Sequence, residues 1–415
     1  DRLKPAKYNP RKDLKSGDPA YEKIKRSLHE FGYVDPVIWN EVTGNIVGGH
    51  QRYKVLTAEG ATEIDCVVVH IENPQEEKAL NIALNKAVGE WEPVALADLL
   101  NDLKLSGYDV DATGFDAAEI DDLFSRVHDK DVKEDDFDVG AELKQPCFSR
   151  MGDVWHLGRH TVICGDTTLP ETFERLLGDA RVNLVCTDAP YFVELKNKSG
   201  TIANDDLNDK QAYEFLIKCF TNFKNAMAKD ASIYEFYATM KTRVFYDAFE
   251  DAGFKVGAGL VWKKPRAPLM RTDWKFNMEP IIWGWRKDGK HIWYSDQKQT
   301  SVFEFDGIRD SEKEGFGHPS SKPVPLIAYL IKQCTQTNGL VLDGFLGSAS
   351  TLIACEEINR SCFGVEIEPK FVDVAVKRYV HYHDGQTEDV YLMRDGQRMS
   401  FEEAMAEMQE SANGE

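Results

Sequence analysis

No apolar run in this 415-residue chain approaches the roughly 20 residues of a membrane-spanning helix, and no charged-then-apolar leader opens it, so neither a membrane partner nor export is expected. Its eight cysteines include no C-x-x-C pair, and Cys164, Cys186, Cys355 and Cys362 stand in apolar contexts. That pattern predicts reduced core thiols in a cytoplasmic protein, with no disulfide framework and no bound metal. No nuclease metal cluster is evident, so a self-contained restriction enzyme is not expected. Positive charge is also scarce: the net charge is -20, which argues against a nucleic-acid protein until its distribution is considered. From Asp98 to Lys144 there are 15 acidic and 5 basic residues, and from Ser400 to Glu415 there are 5 acidic and none basic. Elsewhere the sign reverses: Lys255 to Lys298 carries 10 basic residues against 4 acidic, and Asp1 to Lys54 carries 11 against 7. Two basic patches therefore remain for phosphate contact, although solvated helix faces give the same composition.

A chain this long exceeds the size at which one core keeps growing, so two or three domains are expected. Residues 1–75 mix short strand patterns with helix: Tyr21 to Phe31 is amphipathic, Pro36 to Trp39 and Gly44 to Val47 read as a hairpin, and Asp65 to Ile71 as a further strand. Gly48-Gly49-His50-Gln51-Arg52-Tyr53 lies between a strand and a helix, where glycines, a helix N-terminus and Arg52 make an anion cradle; a tight turn before a helix explains the same residues. Residues 76–128 read as a helical extension and 129–145 as an acidic linker with little to bury. In residues 146–385, strand patterns alternate with helix patterns, which predicts a doubly wound, largely parallel, Rossmann-like α/β sheet behind a small α+β domain. The span 263–300 reads as an irregular basic insertion, and 386–415 as an acidic tail.

Two turns carry the chemistry. Asp188-Ala189-Pro190-Tyr191 follows the apolar run Val182 to Cys186, and Asp343-Gly344-Phe345-Leu346-Gly347-Ser348 follows Gly339 to Leu342. In an open α/β sheet both would face one crevice at the carboxyl ends of the strands. An exocyclic base amine is a weak nucleophile because its lone pair is delocalised into the ring. Acceptors for both amine hydrogens help rehybridise the nitrogen and stabilise its developing charge. Asp188 can supply one acceptor and the Ala189 carbonyl the other, while Tyr191 can stack on a base flipped out of a duplex. The second turn permits close backbone approach, and Gly364-Val365-Glu366 ends the next strand with a carboxylate placed for two ribose hydroxyls. Basic phosphate-binding side chains are absent there, so a phosphate-free nucleoside such as S-adenosylmethionine fits better than a dinucleotide.

In order and content, Gly165-Asp166, Asp188 to Tyr191, Asn204-Asp205-Asp206-Leu207, His318-Pro319 with Lys322-Pro323, Asp343 to Ser350 and Gly364-Val365-Glu366 resemble a beta-class DNA amino-methyltransferase, over residues of about 150–382. The resemblance implies that Asp188, Ala189, Pro190 and Tyr191 form the amine pocket. It implies that Asp343, Phe345, Gly347, Ser348 and Glu366 line the S-adenosylmethionine site, with Asp166 near the adenosine and His318, Ser320 and Lys322 closing over the methionine end. It also puts Lys263, Lys264, Arg266, Arg271, Trp274, Lys275 and Arg286 where that family reads double-stranded DNA. An Asp at the first motif position is more usual of adenine-N6 than of cytosine-N4 enzymes.

The amino-terminal residues Asn9-Pro10-Arg11, Ser27, Glu30-Phe31-Gly32, Pro36 and Gly48 to Tyr53 resemble the ParB/sulfiredoxin-like superfamily, in which the loop holding Gly48, Gly49, His50 and Arg52 binds nucleotide phosphates or DNA. A homodimer is left open. Three departures stand out: Ala189 replaces a usual proline, the turn Asp343 to Ala349 carries a methyl group at a glycine position, where a positive φ would be strained, and His318-Pro319-Ser320-Ser321-Lys322-Pro323 varies at its centre. Cytosine N4 and RNA remain alternative targets, and a catalytically weakened, partition-like DNA-binding regulator is the reading from a different class.

Overall fold

The computed structural model describes residues 3–86, 91–115, 119–120, 123–124, 127, 132–193, 196–197, 200–201, 205–265, 273–295, 298–306 and 321–413. They divide into two compact units, Asp1–Lys130 and Asp131–Glu415. In the first, β1 (Lys4–Pro5), β2 (Val37–Asn40), β3 (Asn45–Gly48) and β4 (Cys66–Val69) form a sheet in the order β1-β3-β2-β4, with β2 and β3 antiparallel and the other pairs parallel. Helices Pro19–Phe31, Pro74–Asn85 and Pro93–Leu105 each begin with a proline, whose missing N–H is no loss at a helix start. Ala79, Ile82, Leu96, Leu99, Leu100 and Leu103 pack together with Ile120.

The second unit contains β5 (Val154–Leu157), β6 (His160–Cys164), β7 (Val182–Asp188), the small pair β8 (Lys196–Asn197) and β9 (Gly200–Thr201), then β10 (Met227–Phe236), β11 (Phe254–Lys263), β12 (Met278–Arg286), β13 (Val302–Glu304), β14 (Leu340–Asp343), β15 (Ser361–Glu366), β16 (Val390–Arg394) and β17 (Gln397–Ser400). All but β8 and β9 join one sheet in the order β13-β11-β12-β10-β7-β14-β15-β6-β5-β16-β17. The middle five strands, β10-β7-β14-β15-β6, are parallel. Antiparallel pairs extend both flanks, and β13 adds a parallel edge strand beside β11, so the sheet is mixed. Strand β7 shows why helices cover both faces: Leu184 and Cys186 enter one apolar cluster while Val185 enters the other. Successive side chains point to opposite faces, and a run that is apolar at every position needs cover on both.

Three expectations are corrected. Residues 132–145 are not a bare linker: Val139 is buried, helix Val139–Glu142 forms, and Asp135, Asp136 and Glu142 pair with Arg378, His381 and Lys377. The stretch 386–415 is not a plain acidic tail, since β16, β17 and helix Phe401–Asn413 follow in order and Ala404 is buried. The stretch 263–300 is not irregular throughout, because β12 lies inside the sheet with Ile281 and Ile282 fully buried. Basic residues at its flanks hid that strand's apolar centre.

Gly344 marks the closest approach of the second turn to a helix. A Cβ there would lie 2.4 Å from two ring carbons of Phe223, on helix Asp209–Ala226. Gly344→Ala should therefore lower stability by about 1–3 kcal/mol through overpacking. Thermal unfolding of Gly344→Ala, Phe223→Ala and the double variant should show less than additive loss, because removing the ring removes the clash.

Candidate active site

Parallel pairing opens the carboxyl ends of β6, β7, β14 and β15 on one edge, and the chain order reverses between β7 and β14. Asp188 ends β7, Asp343 ends β14, Glu366 ends β15, and Gly165-Asp166 follows β6. The two turns are joined by Thr187, whose hydroxyl donates to Asp343 Oδ1 at 2.8 Å and accepts the Gly344 N–H at 3.1 Å. Asp343 also accepts from the Thr351 hydroxyl at 2.6 Å and the Phe345 N–H at 3.0 Å. Burial pushes its carboxyl up to about 6 against these hydrogen bonds. Its bonding makes Asp343 a brace of the loop rather than a carboxylate presented to a ligand.

Asp166, Pro190, Phe215, Gly344, Phe345 and Glu366 line an open cleft. Glu366 accepts the Gly347 N–H at 2.7 Å through one oxygen and the Glu368 N–H at 2.9 Å through the other. Two fixed donors orient the carboxylate and leave lone pairs toward the cleft. Burial outweighs them and pushes Glu366 up to about 7. None of the described lining residues is basic. The donor and acceptor set thus suits a nucleoside with ribose hydroxyls and an aromatic base, which Phe345 and Phe215 can flank, and not a phosphorylated one. Gly347 has φ 50°, which glycine tolerates, whereas Ala349 has φ 66° and ψ 29° at the start of helix Ser350–Glu357. The methyl group at that position is strained by about 1–2 kcal/mol. Ser348 braces the loop: its hydroxyl bonds Ser321 at 2.8 Å and its carbonyl accepts from Arg378.

The first turn adjoins this cleft through Pro190. Asp188 is 22% exposed, and its Oδ1 is buried with no hydrogen-bond partner among the described residues. Its Oδ2 accepts from Lys322, which is 6% exposed and also lies 3.4 Å from Glu279 and over the rings of Tyr191 and Phe236. Lys322 therefore sits on the amine motif. Burial raises the Asp188 carboxyl above its usual range and Lys322 opposes that rise. Burial also works against the Lys322 ammonium, but Asp188 and Glu279 more than offset it and raise its pKa. For Glu279, Lys322 and Lys264 overcome burial and hold the carboxyl at about 2. Tyr191 donates its hydroxyl to Glu279 at 3.1 Å.

Glu279 and Glu235 are absent from the sequence-derived set. Glu279 sits among cations that drew attention to themselves. Glu235 carried a usable signal, a lone acid inside the strand Ile233-Tyr234-Glu235-Phe236.

Of the residues matched to DNA recognition, Arg266 and Arg271 lie outside the described residues, as do His318 and Ser320 of the cofactor set. Lys264 is paired with Glu279 inside the amine site, and Lys263 with Glu304. Arg286 has a structural task instead: it binds Asp288 and donates to the carbonyls of Lys224 and Met227 at 3.0 and 3.1 Å, tying β12 to the end of helix Asp209–Ala226. Trp274 and Lys275 are on the surface, Trp274 being 84% exposed. In the first unit, Gly48 ends β3 and Gly49 takes φ 82° ahead of helix His50–Ala58. His50 is no anion-binding cation: burial lowers it to about 4, and its Nε2 accepts the Ala6 N–H at 3.3 Å. Arg52 is paired with Asp35 at 2.5 Å.

Residues 182–377 match the family model described as DNA methylase, of the N6/N4 type; residues 1–88 match the ParB N-terminal domain and 94–151 the ParB-methyltransferase HTH domain. The last was read from sequence only as helix and linker. The Type II methyltransferase M2.MboI of Moraxella bovis is 26% identical over 225 residues, 48% of this chain and 81% of the relative. M2.DpnII of Streptococcus pneumoniae is 24% identical over 219 residues, 48% of this chain and 82% of the relative. Among solved structures, the cytosine-N4-specific PvuII DNA methyltransferase aligns at 17% identity with a TM-score of 0.46, covering 66% of this chain and 97% of that one.

Ionised Glu366 is the form that accepts two hydroxyl hydrogens, and its pKa of about 7 places the transition in the neutral range. Affinity for S-adenosylmethionine should rise as pH climbs through that value and level off above it. Calorimetric titration should find weaker binding without this dependence in Glu366→Gln.

Proposed function

We propose that this chain, which carries an N6/N4 DNA methylase domain behind ParB N-terminal and HTH domains, methylates the N6 amine of adenine in double-stranded DNA, on a base turned out of the duplex. The match to the N6/N4 DNA methylase model supports DNA amino-methylation, for which S-adenosylmethionine is the methyl donor; the choice of adenine is our inference from Asp188 at the first motif position. One observation carries the reading: a buried, unpartnered carboxylate oxygen, Asp188 Oδ1, beside a cleft suited to a phosphate-free nucleoside.

S-adenosylmethionine, when bound, supplies an electrophilic methyl group on sulfur. Residues of this chain then have four tasks. Asp166, Phe345 and Glu366 hold the nucleoside in the cleft. Asp188 Oδ1 and the Ala189 carbonyl accept the two amine hydrogens, drawing the nitrogen lone pair out of the ring and toward the methyl carbon. Tyr191 offers its ring to the flipped base, one face of which Lys322 covers in this state, so base entry displaces the ammonium from that face. As the N–C bond forms and the S–C bond breaks, positive charge appears on the amine, where Asp188 stabilises it until a proton leaves to solvent. No strong base is required, and the in-line placement of amine and methyl is a large part of the acceleration.

Transfer of labelled methyl groups from S-adenosylmethionine to DNA, followed by sequencing of the modified base, tests this. Asp188→Ala should lower kcat on the order of 10²–10³-fold with little change in cofactor affinity. Modified cytosine in place of adenine would overturn the base assignment, and no incorporation by the native chain would leave the DNA-binding regulator as the better account.

A second prediction follows from the ion pair. Lys322 opposes the rise of the Asp188 carboxyl, so Lys322→Met should push that carboxyl higher still. Because ionised Asp188 is the active form, kcat/KM should be lost at a higher pH than in the native chain as pH falls.

A further inference from the structure

The family to which the amine turn is similar usually has proline at the position of Ala189, and a proline has no N–H. Here that N–H exists and is almost fully buried, Ala189 being 2% exposed. A buried N–H without an acceptor is destabilising by about 1–3 kcal/mol, so its partner is informative. The parallel register of β7 and β10 sets Glu235 beside Thr187 and Phe236 beside Asp188. From there the Glu235 side chain reaches past the end of β7, and its Oε1 accepts the Ala189 N–H at 3.2 Å.

Glu235 is not used by any step above, and it is an expensive residue to keep: it is 0% exposed, and Oε2 has no hydrogen-bond partner among the described residues. As a mere filler between Tyr234 and Phe236 it would be replaced by an apolar residue without loss. Burial, with Asp188 and Asp343 nearby, raises its carboxyl well above the ordinary range. On the other side of Ala189, Pro190 restricts Ala189 to extended backbone.

We infer that Glu235 is a positioning residue of the amine turn, holding by a hydrogen bond to the Ala189 N–H what a proline ring at that position holds covalently, so that the Ala189 carbonyl stays aimed at the target amine. The role rests on the proposed methyl transfer, but its geometric part does not.

The test uses the full chain in four forms: native, Glu235→Ala, Glu235→Gln and Ala189→Pro/Glu235→Ala. Hydrogen exchange read by mass spectrometry over residues 182–192 should show the Ala189 amide protected in the native and Glu235→Gln chains and exchanging faster in Glu235→Ala. In labelled-methyl assays Glu235→Ala should lose about tenfold in kcat, the scale of one buried hydrogen bond, with cofactor affinity unchanged. Glu235→Gln, whose amide oxygen accepts the same N–H, should stay near native. Ala189→Pro should restore kcat in the Glu235→Ala background, because it removes the N–H that lost its acceptor. The inference is overturned if Glu235→Gln falls as far as Glu235→Ala, if the folded double variant is not rescued, or if Ala189 exchange is the same in all three non-proline chains. An inactive native chain would instead refute the methyl-transfer reading, and the exchange data would still decide the contact.

Discussion

A crevice that gathers several buried or half-buried carboxyl groups is unstable unless each charge is answered locally, and the second unit is organised around that requirement. Asp343, Glu366, Asp188 and Glu235 all lie at or near the carboxyl ends of β14, β15, β7 and β10. Each is settled differently. Asp343 is saturated by Thr187, Thr351 and a backbone N–H. Glu366 is held by two backbone N–H groups. Asp188 faces an ammonium, and Glu235 accepts the Ala189 N–H while burial raises its carboxyl well above the ordinary range. The four differ in what they leave available: nothing for Asp343, lone pairs toward the cleft for Glu366, one bare oxygen for Asp188. That difference separates the groups that brace the site from those that meet a ligand.

The position of Lys322 extends the same logic. Placed within reach of both Asp188 and Glu279, it balances two buried acids with one cation, and Lys264 supplies the remainder on the Glu279 side. The same ammonium lies over the Tyr191 ring, so the cation that answers Asp188 also covers one aromatic face of the amine motif.

Much of this was legible in the sequence because it is local. The helix Pro170–Leu177 is bounded by a proline and a glycine, and the two turns are recognisable from the apolar strands before them. Asp188 comes from the first of those turns, and Glu366 from the end of the strand after the second. What was not legible depends on partners far apart in the chain. Asp135 reads as one more acid in an acidic run until Arg378 is seen beside it, and Lys322 reads as part of a cofactor segment until Asp188 is found 134 positions away. Strand β12 was obscured because its apolar centre is short and basic residues flank it. In the amino-terminal unit, the glycine turn before a helix was read correctly, whereas the neutrality of His50 follows from burial that no local pattern reports.

The pairing of Asp135 with Arg378 has a consequence for how the gene can be divided. Arg378 bonds Asp135 with one side of its guanidinium and the Ser348 carbonyl with another, so the segment that leads out of the amino-terminal half reaches the cofactor loop through a single side chain. A cut placed by composition, at the end of the acidic run, would separate the loop from its support. In this chain residues 132–145 therefore belong structurally with the second unit, although they fall inside the stretch that matches the HTH domain.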